Sequence, residues 1–480
     1  MARLACRLLL ATAVSTLAVP ASADELRDAL VQAYNYNPTL LAARSNQRAV
    51  DENVPIERAA GLPSVNATGT YTEILKQQGN SFTNPDRAFN GSADLGVPVY
   101  SGGAVRNSVK AAKIRVEAGQ ADLRATESSI FSQVVSAYTE VVSNEAVVAL
   151  NRKNVSVLEV NLQATSDRFE IGDLTRTDVA QSESRLAVAR GDTRTAEALL
   201  VASRERYIAL VGKPPANLAP PPPLPALPAS PEDAVATALE NNPDILAARE
   251  RTKAAGYDIE VAGSTRLPRL EVFTGGTYTD YFNSLPPTLG AGIDQTTTGA
   301  TAGVRATIPI IQGGRPAALR RQAQAFASAA QETEIAIERD VIAQARAAYS
   351  TWVAANEVIA STQTAVSAAE LSLEGVRAEN SVGNRTILDV LNAEQELLDA
   401  SVRLVNARRT AYVAGFTLLA AMGRAEAKDL NLDGGVLYDP ETNYERVRGK
   451  IFDFDDDPDP TPQATRTVDT PTQGSDIPAQ

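Results

Sequence analysis

Histidine is absent from the 480-residue chain, and its single cysteine, Cys6, sits near the N-terminus. The first absence excludes histidine triads, histidine general bases and histidine metal ligands. The second leaves the rest of the chain without a thiol nucleophile, a disulfide or a cysteine-bound metal. Aromatics are only 5% of residues, against a compact aromatic core, and the net charge of −13 argues against a nucleic-acid partner. No stretch reaches 18 consecutive apolar residues, so no transmembrane helix is expected; a membrane span would have to be built from strands. No catalytic constellation stands out among the carboxylates, serines and lysines. The chain is therefore read as a non-enzyme with no cofactor and no bound metal.

What is present begins with an export signal. Arg3 and Arg7 precede an apolar run from Leu8 to Val19, and Ala21-Ser22-Ala23 has the small-residue pattern of a cleavage site. Residues 1–23 are thus expected to be removed, with Asp24 as the new N-terminus.

The remainder repeats. Asn37-Pro38 followed by Leu41-Ala42-Ala43-Arg44 returns as Asn242-Pro243 followed by Leu246-Ala247-Ala248-Arg249. Gly69-Thr70-Tyr71-Thr72 returns as Gly276-Thr277-Tyr278-Thr279, and Gly102-Gly103 as Gly313-Gly314. Gly172, Thr175, Asp178 and Val179 return as Gly383, Thr386, Asp389 and Val390. Landmarks in one order mark a tandem duplication. The expected organisation is a signal at 1–23, a first unit at 24–212, a proline-rich crossover at 213–231, a second unit at 232–430 and a C-terminal segment at 431–480.

Each unit reads helix, strand, strand, long helix, helix. The opening helix spans about 25–60 with a break at Asn37-Pro38. Residues 64–71 alternate as a strand, 79–91 read as a loop, and a second strand ends near Tyr100. Long helices follow at 104–168 and 316–380, each about 98 Å long at 1.5 Å per residue. Two shorter helices stacked end to end nearly match that length, as in a cylinder wall; an ordinary antiparallel coiled coil is the alternative that periodicity leaves open. The strand regions favour the first. They hold Tyr71, Phe82, Phe89, Tyr100, Phe273, Tyr278, Tyr281 and Phe282, eight of the 24 aromatics, as girdled membrane strands do. A small soluble sheet capping the coil is the bland reading. Four strands are too few to close a barrel, so a shared barrel with cyclic symmetry follows.

At this point the residues resemble the TolC family of outer-membrane channel proteins. Ser381-Val-Gly-Asn-Arg-Thr-Ile-Leu-Asp-Val-Leu391 is nearly the family's second helix-turn signature, and Arg168-Phe-Glu-Ile-Gly172 with Thr177-Asp178-Val179 is similar to the first. Pro309-Ile-Ile-Gln-Gly-Gly314 is similar to its second strand-to-helix switch. The resemblance covers about residues 24–430. It implies a mixed α/β membrane protein: a tandem-duplicated protomer of a homotrimeric 12-strand β-barrel in outer-membrane lipid, continued by a long α-helical barrel across the periplasm of a Gram-negative cell. It also implies a passive exit duct for drug efflux, type I protein secretion or both, working with a periplasmic adaptor and an inner-membrane pump of the RND or ABC type. The alternative is a soluble periplasmic coiled-coil adaptor or scaffold.

The same resemblance supplies a candidate gate at the coiled-coil tips. It implies that Asp178 and Arg385 restrain the closed mouth across neighbouring hairpins, and that three copies of Asp389 form an acidic constriction. The chain departs from the family at Asn380, where a gate tyrosine is expected, and at Asn392, where a second ring aspartate is expected. A weaker gate and a blunter cation block follow from those departures.

Several motifs have plain structural readings. Thr175-x-x-Asp178 and Thr386-x-x-Asp389 are capping boxes in pattern, a role compatible with the gate. Gly172 and Gly383 mark the helix turns. Gly102, Gly103, Gly313 and Gly314 read as strand-to-helix breaks, since no Gly-Lys-Ser/Thr follows to make them phosphate cradles. Nine prolines from Lys213 to Pro231 read as a stiff crossover, with a partner-binding polyproline segment as the alternative. Five aspartates between Asp453 and Pro460 only loosely match a calcium loop, and the segment is expected to be a solvated, disordered and dispensable tail after about Tyr444.

Overall fold

The computed structural model describes residues 26–76, 85–285, 294–432 and 437–477. The signal segment 1–23, the expected start at Asp24 and the aromatic Phe82 lie outside them.

The first repeat runs α1 (Leu26–Tyr36), α2 (Pro38–Asp51), α3 (Asn53–Ala59), β1 (Ser64–Glu73), β2 (Arg87–Tyr100), α4 (Ala104–Glu170) and α5 (Arg176–Val211). The second runs α6 (Pro231–Asn241), α7 (Pro243–Ser264), β3 (Arg269–Asp280), β4 (Thr296–Thr307), α8 (Arg315–Ser381) and α9 (Ile387–Ala421), and a short α10 (Pro440–Val447) follows. Asparagine makes the matching break in both repeats. The Asn37 side-chain Oδ1 accepts the N–H of Thr39 at 2.9 Å, the Oδ1 of Asn242 does the same for Asp244 at 2.9 Å, and a proline follows each. The opening helix has a second break, at Glu52, that the sequence reading did not contain. Pro55 has no N–H to give the Asp51 carbonyl, whereas its counterpart in the unbroken α7 is Glu260.

The four strands form one antiparallel sheet in the order β1-β2-β3-β4. Alternation fixes two unlike faces. Val65, Ala67 and Tyr71 pair with Leu95, Ala93 and Phe89, and the register carries that face on through Tyr278 and Val272 to Val304. The opposite face carries Asn66, Thr68, Ser92, Asp94, Thr277, Glu271, Thr301 and Arg305. Among the described residues neither face is covered by a helix: every residue of β1 is exposed, and β4 is exposed at all but one position. Tyr71 with Phe282 (5.9 Å) and Phe89 with Tyr278 (6.4 Å) form an aromatic band at the far end of the sheet. Phe273 is not part of that band: it lies on the polar face beneath the Arg305 guanidinium, 4.8 Å from its ring centre. Strand β2 also begins earlier than the expected loop allows. Asn90 and Gly91 read as turn residues in sequence, but they sit in the ladder opposite Thr70 and Gly69.

Helices α4 and α8 have 67 residues each, about 100 Å at 1.5 Å per residue. Their largest apolar cluster lies at mid-length, where Phe131, Val134 and Tyr138 of α4 meet Leu200 and Tyr207 of α5 and Leu418 of α9. Toward the tips the buried stripe narrows to Leu158, Leu186, Ala189 and Leu391. Among the described residues, no helix is long and apolar enough to cross a membrane.

The proline-rich crossover lies across the helices at this mid-level. Tyr138 of α4 donates to the Ala219 carbonyl (2.7 Å), and Tyr349 of α8 donates to the Ala229 carbonyl (2.8 Å). Gly415 of α9 leaves room for Leu224, whose methyl would lie 2.5 Å from any Cβ there.

The tail differs from the free segment expected after Tyr444. Among its described residues it has no helix or strand beyond Val447, yet it lies back along α4 and α5. Arg204 donates to the carbonyls of Gly474 (2.6 Å) and Asp476 (2.9 Å), Arg152 donates to that of Ser475 (3.0 Å), and Ile477 packs on the main cluster. Backbone carbonyls make these bonds, so neither hydropathy nor side-chain charge along the tail announced them.

Candidate functional site

The tips of the two hairpins, α4–α5 and α8–α9, carry every residue of the expected gate. Each tip is made by the same local chemistry. At the first, the Gly172 N–H bonds to the Phe169 carbonyl and the Asp173 N–H to that of Arg168; at the second, Gly383 bonds to Asn380 and Asn384 to Glu379. This paired closure needs a left-handed residue, and Gly172 (φ 83°) and Gly383 (φ 82°) supply it. The chain then re-enters a helix through a full capping box. The Asp178 Oδ2 accepts the Thr175 N–H (2.8 Å) and hydroxyl (2.7 Å), while the Thr175 Oγ1 accepts the Asp178 N–H (3.3 Å). Asp389 and Thr386 repeat the set at 3.0, 2.7 and 3.3 Å.

These bonds set the charges. The Thr175 backbone N–H, then its hydroxyl, holds the Asp178 carboxyl below the usual carboxylate range. The Thr386 hydroxyl and then its backbone N–H do so for Asp389, with Arg385 adding to the effect. Both carboxylates stay ionised at neutral pH and remain reachable by solvent.

Within the protomer Arg385 is held by another acid: its Nε bonds to Glu379 Oε2 at 2.7 Å, in its own hairpin, and among the described residues no bond joins it to Asp178. Asn380, at the expected tyrosine position, donates to the Arg385 carbonyl at 2.7 Å and so fixes the turn. Asn392 accepts from Arg185 of α5 at 2.7 Å, a bond between the two hairpins.

Sequence reasoning missed the strongest link in this region. Glu394 of α9 is buried, and its two oxygens accept from the amide of Asn161 on α4 at 2.8 Å each. Arg377 of α8 reaches the same carboxylate at 2.9 Å. Three helices from both repeats therefore meet on one acid. A signal was available: Ile387, Leu391, Glu394 and Leu398 follow core spacing along α9, and an acid in such a stripe needs partners.

At the opposite end of the long helices, Gly102 (φ 64°) and Gly103 (φ 82°) lie between β2 and α4, and Gly313 (φ 57°) and Gly314 (φ 81°) precede α8. Space as well as conformation demands glycine at Gly102, where a Cβ would come within 2.8 Å of Leu267.

Residues 29–213 and 234–424 match the family model described as outer membrane efflux protein. The outer membrane efflux protein BepC of Brucella suis is 34% identical over 93% of this chain and 97% of its own length. The outer membrane protein TolC of Vibrio cholerae is 26% identical over 88% of this chain and 96% of its own. In architecture the chain is similar to the solved structure of CusC, with a TM-score of 0.73 at 18% identity, covering 84% of this chain and 92% of that one.

Proposed function

The chain belongs to the outer membrane efflux protein family, and from that premise we propose that three copies form a passive exit duct, gated at its coiled-coil tips. Its place is the outer membrane, with the long helices in the periplasm. One observation carries this reading: a four-stranded sheet that is apolar on one face, polar on the other, uncovered on both, and unpaired along β1 and β4. Water does not tolerate an open apolar face, and hydrocarbon does not tolerate open strand edges. Strands of 10–14 residues tilted by about 45° match the bilayer, and sharing the edges among three copies makes 12 strands. The polar face would then line a water-filled lumen.

The helical walls continue that lumen to the tips. There Asp389 from three copies would converge as a cation-attracting ring. The bonds among Asn161, Glu394 and Arg377, and between Arg185 and Asn392, would hold each protomer's hairpins together behind the ring. Arg385 would turn from Glu379 toward Asp178 of a neighbouring copy. No step of chemistry is assigned to the protein itself, and transport energy would come from an inner-membrane pump joined through a periplasmic adaptor. The cargo would be small molecules, type I secreted proteins or both.

Planar-bilayer recording of the purified protein tests the reading. A cation-selective conductance that trivalent cations block from the tip side is expected. A water-soluble monomer without conductance would instead favour a periplasmic adaptor.

A further inference from the structure

The internal repeat shows which helical face is left without its cover. Helix α4 is flanked by α1, α2, α3 and α5 of its own repeat and by α7 and α9 of the other. Its counterpart α8 packs against α6, α7 and α9, and buries 8 residues where α4 buries 20. On α4 the covered face works through charge and an aromatic. Arg115 pairs with Asp258 of α7, and Lys110 lies 5.3 Å over the Tyr257 ring. The duplication carries Arg115 and Lys110 to Phe326 and Arg321 on α8, both exposed, Phe326 by 66%. It carries Asp258 and Tyr257 to Asn53 and Glu52, at the break between α2 and α3. By this correspondence the α2–α3 break of a second copy belongs beside Phe326 and Arg321.

The tail passes that same break. Asn443 donates to Asp51 (2.7 Å) and Arg58 donates to the Arg448 carbonyl (3.1 Å). The next residues form a closed loop, held by Arg446 on both oxygens of Asp457 (2.7 and 2.8 Å) and by Lys450 on Asp455 (3.0 Å). The loop turns its large apolar side chains outward: Ile451 is 69% exposed, Phe452 70% and Phe454 82%, with the two phenylalanine rings edge to face at 5.7 Å. Such a cluster calls for a covering surface. Asp453 and Asp456 flank it, also exposed. An anionic bilayer surface repels that charge. The start of α8 attracts it, because Arg315 and Arg321 are exposed on the stretch that leads to Phe326.

We propose that the loop Ile451–Asp457 is a clasp between copies of this chain, seating its aromatic pair beside Phe326 on α8 of a neighbouring copy, with its aspartates toward Arg315 and Arg321. The clasp rests on the oligomeric duct proposed above and adds a belt of contact just below the sheet. It explains why an acidic tail keeps three large apolar residues in a fixed loop on the outside of the protomer.

The test uses the full-length protein in detergent, following the temperature at which the assembly separates into monomers. Three variants are compared with the unsubstituted chain: Phe452→Ser with Phe454→Ser, Asp453→Lys with Asp456→Lys, and Arg321→Asp. Each is expected to separate at a lower temperature with an unchanged helical spectrum. Combining Arg321→Asp with the two lysine substitutions should restore part of the loss. Separation of all variants at the original temperature overturns the clasp while leaving the duct intact. An unsubstituted chain that never assembles sinks the duct itself. Weakening seen only in reconstituted bilayers, and not in detergent, assigns the loop to the lipid surface and also overturns the clasp.

Discussion

The Nη2 of Arg185 donates to the Oδ1 of Asn392 at 2.7 Å, and this bond joins the first hairpin to the second behind their tips. Glu394 lies on the next part of the same helix and takes bonds from Asn161 and Arg377. The exposed bond and the buried acid should not weigh equally, because an acid that loses its partners inside keeps its desolvation cost.

Substitution separates the two. Arg377→Ala with Asn161→Ala leaves Glu394 buried without donors and should lower stability by about 2–4 kcal/mol. It should also raise single-channel conductance, as the hairpins part. Arg185→Ala should raise conductance less and cost under about 1 kcal/mol, as exposed polar pairs do. Thermal unfolding and bilayer recording of the same preparations check both; equal effects would remove Glu394 from its central place.

The capping role of Asp389 and its pore role can be told apart at one tip. Thr386→Ala removes the cap but keeps the charge, so it should lower stability by about 1 kcal/mol and leave cation selectivity in place. Asp389→Asn keeps an acceptor for the cap and removes three converging charges, so it should reduce cation selectivity and block by trivalent cations. Unchanged block in Asp389→Asn would confine the residue to capping.

Acid should loosen the tips. Asp178 and Asp389 both have depressed carboxyl pKa values in the folded protein, set by the Thr175 and Thr386 bonds. A depressed acid stabilises above its unfolded value near 3.9 and loses that contribution as pH falls through the folded value. Proteolysis at the tips should therefore be flat from neutral pH to about pH 5 and rise below about pH 4. Asp178→Asn with Asp389→Asn should flatten the rise.

Removing residues 473–480 should destabilise the protein. Arg204 has a side chain only 10% exposed and would keep Glu145 while losing the carbonyls of Gly474 and Asp476. The loss should be about 2 kcal/mol, as for hydrogen bonds to a buried charge. Equal melting temperatures for the full and shortened chains would return the tail to the solvated role expected from its composition.

The contrast between legible and illegible parts follows from distance along the chain. Thr175 and Asp178 act within one turn, so the capping boxes were readable from spacing alone, as were the breaks at Asn37 and Asn242. The alternating faces of β1 were readable for the same reason. Asn161 and Glu394 are 233 residues apart, and nothing local in either one names the other. The pairing of Arg385 with Glu379 was hidden differently: the family pattern directs attention to Asp178, while the acid that binds this arginine lies just before the turn. The tail escaped because its partners bind main-chain oxygens, which every residue has.

The central claim is that this sheet is one third of a shared barrel, and cross-linking at its open edges tests it most directly. In one chain β1 and β4 are separated by two strands, about 14 Å, so a disulfide between them has to join different copies. Cysteine pairs are placed at successive positions of β1 around Thr68 and of β4 around Thr301, then oxidised in outer membranes. The account predicts that pairs in register give covalent dimers and trimers and nothing larger. Monomers at every register, or a ladder that continues past three, would contradict it.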